Sequence, residues 1–267
     1  MVDGSPGVTT FGVVTPTLNA ERYFERTLES IWSQQTDSIA IDHVVRDGGS
    51  TDRTLQIAAR YPSRVTVSKD AGMYDAINAG MQAVRGDIVG YINADDEIAS
   101  RALTRVQRAF RDHPGVGWLC GRVEYIDARG DVLGRMQPVP VSIGSYVGIG
   151  WSCIPQQTVW ARRAFVERVG PFDITYRNCG DYDWYVRALR LQHPLILQAT
   201  LGRFRIHGDQ LSFDPQAMER ESRMVQDRNG GRGLSRFLIG KLLSLRLNAR
   251  NPAWLVAKKT GKIRFST

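Results

Sequence analysis

The sequence predicts an α/β protein with a mostly parallel central sheet flanked by helices and a C-terminal amphipathic helical tail. Three observations carry this expectation. Short β-type runs alternate with helical periodicity as far as Asp112, polar clusters stand directly after those runs, and the last segment is basic and free of acid. In chain order, Phe11–Thr15 is a strand, and Asn19 stands where it would cap a helix whose Phe24, Leu28, Ile31 and Trp32 share a face. Ile41–Val45 is a second strand, followed by a tight turn at Asp47–Ser50 and a helix through Leu55 and Ala58. Val65–Val67 is a third strand. Met73–Val84 is a helix with Ala76, Ile77, Gly80, Met81 and Val84 at helical spacing. Ile88–Ile92 is nearly continuously apolar, as expected of a strand covered on both faces, and Ser100–Asp112 is helical. Beyond Pro114 the pattern loosens. Trp118–Tyr125 and Val132–Met136 suit a hairpin about Asp127–Gly130, and Asp181–Leu191 is helical. The expected organisation is a nucleotide-binding half (8–115) and an acceptor-binding half (116–213) on one sheet, with a basic helical extension (214–267).

Composition narrows the function. Of 267 residues, 42% are hydrophobic and 23% charged, which excludes wholesale disorder. No apolar run approaches the ~18–20 residues that cross a bilayer, and Met1–Gly7 contains no apolar signal core. Cys120, Cys153 and Cys179 are scattered and odd in number, which points to a reducing, cytoplasmic setting rather than a disulfide framework.

The net charge of +8 resides in the tail: nine Lys and Arg from Arg232 to Arg264 stand in a segment without Asp or Glu. Removing them leaves 26 basic against 27 acidic residues. Leu234, Phe237, Leu238, Leu242 and Leu245 recur there at three- and four-residue steps. Two readings fit, a helix lying on an anionic membrane through residues 232–264 and a terminal helix packed on the domain. The aromatics are not interleaved as stacking platforms, so no nucleic-acid partner is expected.

The polar clusters after the strands open onto one crevice, at the carboxyl ends of the sheet. Neither GxGxxG nor a P-loop occurs at these junctions, and the crevice is acidic. Carboxylates face a diphosphate favourably only through a divalent cation. Asn93-Ala94-Asp95-Asp96 offers oxygen ligands of the kind Mg²⁺ or Mn²⁺ takes, or else a helix-cap pair. Asp47-Gly48-Gly49-Ser50 could present a carboxylate to a base N–H, or simply shape a strand-to-helix turn. Of Asp181 and Asp183, two apart on a helix, only one easily faces the crevice, where it could take a proton from an attacking hydroxyl. His207, among Arg203, Arg205 and Gln210, suits a pyrophosphate grip, whereas His43, His113 and His193 read as structural.

Taken in order, Thr15-Pro16-Thr17-Leu18-Asn19-Ala20-Glu21, Asp47–Asp52, Asp70-Ala71-Gly72-Met73-Tyr74-Asp75-Ala76-Ile77-Asn78, Gly86-Asp87, Asn93–Asp96, Gln156-Gln157, Gly170–Asp173 and Gly180–Asp183 resemble the motifs of family-2 glycosyltransferases of the GT-A fold. The resemblance implies an inverting, single-addition transfer of a sugar from a nucleotide-diphosphate donor to a saccharide or polyprenyl-linked acceptor, in cell-surface polysaccharide or glycolipid synthesis. It assigns Asp47 to the base, with Pro16, Asn19 and Glu21 lining the nucleotide pocket. Asp75, Asn78, Asn93 and Ala94 meet the donor, Asp95 (with Asp96 through water) and His207 meet a Mn²⁺ or Mg²⁺ and the diphosphate, and Asp181 is the base. Asn93 stands in place of the first Asp of the family's DXD motif, and Gly180 in place of the Glu that usually precedes the base. No QxxRW motif is present, which disfavours a processive synthase. Two other readings are weaker. A sugar-phosphate nucleotidyltransferase would want an Arg/Lys-rich glycine loop near the N-terminus, where residues 10–25 offer only Arg22, and an inactive membrane-peripheral scaffold would show a broken site.

Overall fold

A computed structural model describes residues 7–208, 214–231 and 233–263. The first half runs β1 (Thr9–Thr17), α1 (Phe24–Trp32), β2 (Ile39–Asp47), α2 (Thr54–Ala58), β3 (Arg64–Val67), α3 (Met73–Ala83), β4 (Ile88–Tyr91), β5 (Glu97–Ile98) and α4 (Ala102–Asp112). The second half runs β6 (Trp118–Ile126), β7 (Val132–Met136), α5 (Ile143–Ile149), β8 (Trp160–Arg162), α6 (Arg163–Val169), α7 (Gly180–Leu191) and β9 (Leu195–Arg205). The extension carries α8 (Pro215–Arg228), α9 (Leu234–Arg250) and α10 (Pro252–Lys259).

The strands form one sheet in the order β3-β2-β1-β4-β8-β6-β9-β5, with β7 hairpinned onto β6. The alternation along β1 explains its central place: Phe11 and Val13 enter one core layer and Val14 the other. β1 pairs in parallel with β2 and β4, and β2 with β3, so the first half is the parallel sheet its strand–helix alternation predicts. Past β4 the sheet is mixed. The three-residue β8 runs antiparallel between β4 and β6, β9 returns parallel to β6, and β5 lies antiparallel on β9. That return brings the end of β9 beside the segment after β4.

One local expectation changes. Asn19 does not cap α1, whose N-cap is Tyr23 with no side-chain cap bond. Asn19 instead adopts a left-handed backbone (φ 49°), and its Oδ1 accepts from the Thr51 N–H on the neighbouring loop.

The extension is bound to the domain. Asn251, between α9 and α10, donates to the Gln137 carbonyl and accepts from the Gln137 N–H, both in the interior. α9 lies on α5, turning Leu243 and Leu247 inward. Backbones meet at Gly148 and Gly240: a Cβ on Gly240 would stand 2.2 Å from the Gly148 carbonyl oxygen. The buried seam is thus not the stripe read from the sequence. Leu234, Phe237, Leu238, Leu242 and Leu245 face outward, 53% to 75% exposed. Arg232 and Arg264, which bound the basic segment, lie outside the described residues.

Gly240→Val should therefore lever α9 off α5 and lower stability by roughly 1–3 kcal/mol, read as the denaturant midpoint. An unchanged midpoint would mean that the helices do not meet at this glycine.

Candidate active site

The loops after β1 and β2 are laced together. Besides the Asn19–Thr51 bond, the Glu21 carboxylate accepts from the Arg53 N–H and Nε, and the Glu21 N–H donates to Asp52. Asp47 is fully buried at the end of β2. Its Oδ1 accepts from the N–H groups of Gly49 and Ser50, and its Oδ2 from the hydroxyls of Thr17 and Ser50. Those four bonds use the acceptor capacity of a carboxylate. Pro16, half-buried, ends the same rim. Asp47 is therefore placed as the organiser of the loop rather than as an acceptor open to a ligand.

Across the sheet, Ile92 closes on β1 through its N–H to the Val14 carbonyl, and Asn93–Asp96 turns away. Ala94 is anchored through its carbonyl by the Thr27 hydroxyl, and the buried Asn93 Oδ1 has no partner. Asp96 is 1% exposed and holds two other segments: its Oδ1 accepts from the Arg205 N–H and its Oδ2 from the Gln157 amide. Burial, with Asp95 adjacent, pushes its carboxyl well above the ordinary range, and its two donors oppose that. Asp96 is thus a structural joint and not the water-mediated ligand expected. With Asp96 turned inward, Asp95 points out, and its Oδ2 lies 2.9 Å from His207 Nε2. Tyr23 packs against the His207 ring, its centroid 4.9 Å away, with the Arg205 guanidinium over the tyrosine.

The pair Asp95 and His207 is the candidate metal position. Among the described residues no group of three or more His, Cys, Asp and Glu gathers as a metal cage. One carboxylate and one imidazole 2.9 Å apart nonetheless suit a Mg²⁺ or Mn²⁺ that takes its remaining ligands from phosphate and water. The donor set fits the cation that the sequence implies.

The start of α7 carries two further candidate carboxylates. Asp181 Oδ1 accepts from the Tyr182 N–H and lies 3.4 Å from the Tyr74 hydroxyl of α3. Burial raises its carboxyl to about 6, and the Tyr182 N–H and Tyr74 hydroxyl limit the rise. Asp183, by contrast, is buried on another face of α7 and ion-paired to Arg187 Nε at 2.9 Å. Of the two carboxylates, Asp181 has no ion-pair partner among the described residues. Asp75 accepts from the Ala71 N–H and shapes the start of α3. Asn78 binds both sides of one peptide unit's residue, donating to the Phe172 carbonyl and accepting from the Phe172 N–H, and so ties the two halves together.

Two residues around Asp181 carry no role in the sequence reading. Tyr74 lies inside a motif but is apolar in helical period, and Glu221 belongs to the extension. His43 bears out its structural reading: it is bonded to Thr15 and Ser63, and burial holds its ring down at about 3. Trp160, Trp184 and Tyr176 fill core, while Trp151 is half-buried under the Lys258 ammonium.

Comparison with known proteins gives the family and the fold. The sequence profile described as Glycosyl transferase family 2 matches residues 12–168. A glycosyltransferase of Mycobacterium tuberculosis is 24% identical over 247 residues, covering 87% of this chain and 91% of the relative. A PGL/p-HBAD biosynthesis glycosyltransferase of the same species is 28% identical over 188 residues, covering 66% and 68%. Among solved structures, S. aureus TarS 1–349 in complex with UDP-GlcNAc superposes with a TM-score of 0.67 at 18% identity, covering 93% of this chain and 79% of that one. The mannosyltransferase of Pyrobaculum calidifontis in complex with GDP-Man and Mn²⁺ gives 0.59 at 18%, covering 96% and 76%. At such identities the likeness is one of fold.

Because the folded chain holds the Asp181 proton up to about pH 6 against an ordinary 3.8, wild type loses stability as pH rises between those values. Asp181→Asn should be more stable than wild type by about 1–2 kcal/mol near pH 8, with the gap closing below about pH 4. Denaturant midpoints across that range check it, and a constant gap would contradict the raised carboxyl.

Proposed function

The chain belongs to glycosyl transferase family 2 and is a glycosyltransferase of the GT-A fold, and on that premise we propose that it transfers a single sugar from a nucleotide-sugar donor, with inversion, to a hydroxyl of a glycan or lipid-linked acceptor. The observation that carries this reading is the placement of Asp181: a half-buried carboxylate at the start of α7, with no ion-pair partner among the described residues and its carboxyl raised to about 6. The acceptor oxygen attacks the anomeric carbon as Asp181 takes its proton. The bond from that carbon to the phosphate oxygen breaks on the opposite face, and the nucleoside diphosphate leaves. A carboxyl titrating near 6 is ionised at neutral pH yet more basic than an ordinary aspartate.

Asp95 and His207 would hold a divalent cation, Mn²⁺ or Mg²⁺, which supplies positive charge to the departing diphosphate when bound. The Asp47 loop, braced by Asn19 and Glu21 and edged by Pro16, walls the nucleotide base. Asp75 and Asn78 fix α3 beside the donor, and Asn93 and Ala94 line its floor. Because the Asp47 carboxylate is saturated internally, it serves the nucleotide through the loop it shapes.

The exposed stripe of α9 supports a partner as well. No helix among the described residues is long and apolar enough to cross a membrane. Leu234, Phe237, Leu238, Leu242 and Leu245 nevertheless form an outward apolar face with Arg236, Lys241 and Arg246 on the same helix, in a segment without acid. A second copy of this face would bring like charges together, whereas an anionic bilayer complements both its charge and its leucines. The enzyme then works peripherally at the inner face of the plasma membrane, where a polyprenyl-linked or glycolipid acceptor is presented. The PGL/p-HBAD relative supports that acceptor class.

Two experiments test these assignments. Asp181→Asn should bind nucleotide as wild type does while transfer falls by a factor on the order of 10² or more, and Asp183→Asn should retain transfer wherever it folds. The reverse pattern would move the base to Asp183. Wild type should sediment with phosphatidylglycerol vesicles and not with phosphatidylcholine vesicles, and Leu238→Glu with Leu242→Glu should abolish sedimentation. Equal recovery of wild type with both lipids, or none, contradicts the membrane reading.

A further inference from the structure

We infer that Tyr74 and Glu221 are positioning residues for Asp181, one gripping it through its hydroxyl and the other through the turn that precedes it. The inference rests on Asp181 being the base and deepens that reading.

The Tyr74 hydroxyl meets the base at two atoms. It accepts from the Asp181 N–H at 3.2 Å, and its own proton lies between the Asn178 carbonyl at 3.1 Å and Asp181 Oδ1 at 3.4 Å. The ring behind that hydroxyl cannot drift. It is 2% exposed, stacked on Phe172 and set into the space left by Gly180, where a Cβ would come within 2.7 Å of it. A glycine immediately before the base is what admits the tyrosine. The hydroxyl proton can turn toward the carboxylate when Asp181 is ionised and toward the Asn178 carbonyl when it is protonated, so Tyr74 favours the form that accepts a proton.

Glu221 acts from the other side. It is a buried carboxylate on α8, and it accepts from the consecutive N–H groups of Arg177, Asn178 and Cys179. Three N–H groups converging on one carboxylate fix the turn that leads into α7. The same carboxylate lays a negative charge near Asp181, which opposes its ionisation. The grip therefore comes from α3 in the donor half and from α8 in the extension, and Asp181 is held only when both are docked.

The other titratable groups facing Asp181 are Tyr91 of β4, Tyr146 of α5, Tyr185 of α7 and Cys179. Burial pushes all of them up, Cys179 to about 12, so they stay neutral between about pH 5 and 9. Glu221 is the acidic neighbour that opposes the ionisation of Asp181. The two positioning residues thus leave opposite marks on the base.

The test is the pH profile of single-turnover transfer by the full chain, for wild type, Tyr74→Phe and Glu221→Gln, with donor KM and melting temperature measured alongside. Wild type should lose rate below about pH 6, with Asp181→Asn showing no such limb. Tyr74→Phe should move the limb up by about half a unit or more and lower the plateau rate, leaving donor KM unchanged. Glu221→Gln should move it down and lower the plateau, because a charge opposing ionisation is gone while the turn is loosened. Limbs that stay at the wild-type pH, or both move the same way, overturn the inference. If Glu221→Gln does not fold, the Tyr74→Phe limb alone decides. If Asp181→Asn retains full transfer, it is the assignment of the base that fails instead.

Discussion

The buried carboxylate of Asp96 is the joint on which the site depends. It takes an N–H from Arg205 at the end of β9 and an amide from Gln157 just before β8, and so ties the turn after β4 to two strands of the second half. A carboxyl sunk this far is tolerable only with its oxygens hydrogen-bonded, and removing either donor would leave one of them unsatisfied. Because Asp96 is turned in, its neighbour Asp95 is turned out, and because Arg205 is pinned, His207 two residues on arrives beside it. The contact between Asp95 and His207 is thus a consequence of sheet topology. The parallel half ends at β4, an antiparallel strand is inserted, and the chain returns along β9 to the same edge.

The same logic extends to the start of α7. Asn78 reaches from α3 to Phe172, Tyr74 from α3 to Asp181, and Glu221 from α8 to the turn before α7. The crevice is bounded by residues whose polar groups are nearly all committed to one another. In the proposed reading the groups that meet ligand are few: Asp95 with His207, and Asp181. That economy favours a reaction in which the substrate's own diphosphate and hydroxyl complete the constellation.

Much of this was legible in the sequence. The four parallel strands of the first half announced themselves through β-type composition, most plainly in Ile88–Tyr91, where every residue is buried. The two-residue β5 and three-residue β8 are too short to show any period, so the mixed half of the sheet was not. The motifs nominated Asp95 and Asp181 as candidates, and the Arg- and Gln-flanked position of His207 nominated it, since such groups are chemically conspicuous in sequence. They could not show that Asp47 spends every lone pair on its own loop, since that depends on Thr17 arriving from β1. Nor could they find Glu221, an ordinary helical glutamate until three N–H groups converge on it. The tail shows a subtler limit. Its leucine stripe was read as an apolar face, but α9 has a second one, running from Gly240 through Leu243 to Leu247, and it is the second that meets the domain.

The central claim is that the donor's diphosphate is met where β4 and β9 converge, through Asp95 and His207. Calorimetric titration of the protein and of His207→Ala with UDP, GDP and dTDP, each with Mn²⁺ and then with EDTA, addresses it directly. The account predicts that wild type binds one of these nucleotides with Mn²⁺, and that chelation or loss of the imidazole removes that binding. Binding that is indifferent to both would contradict it, and would place the diphosphate elsewhere in the crevice.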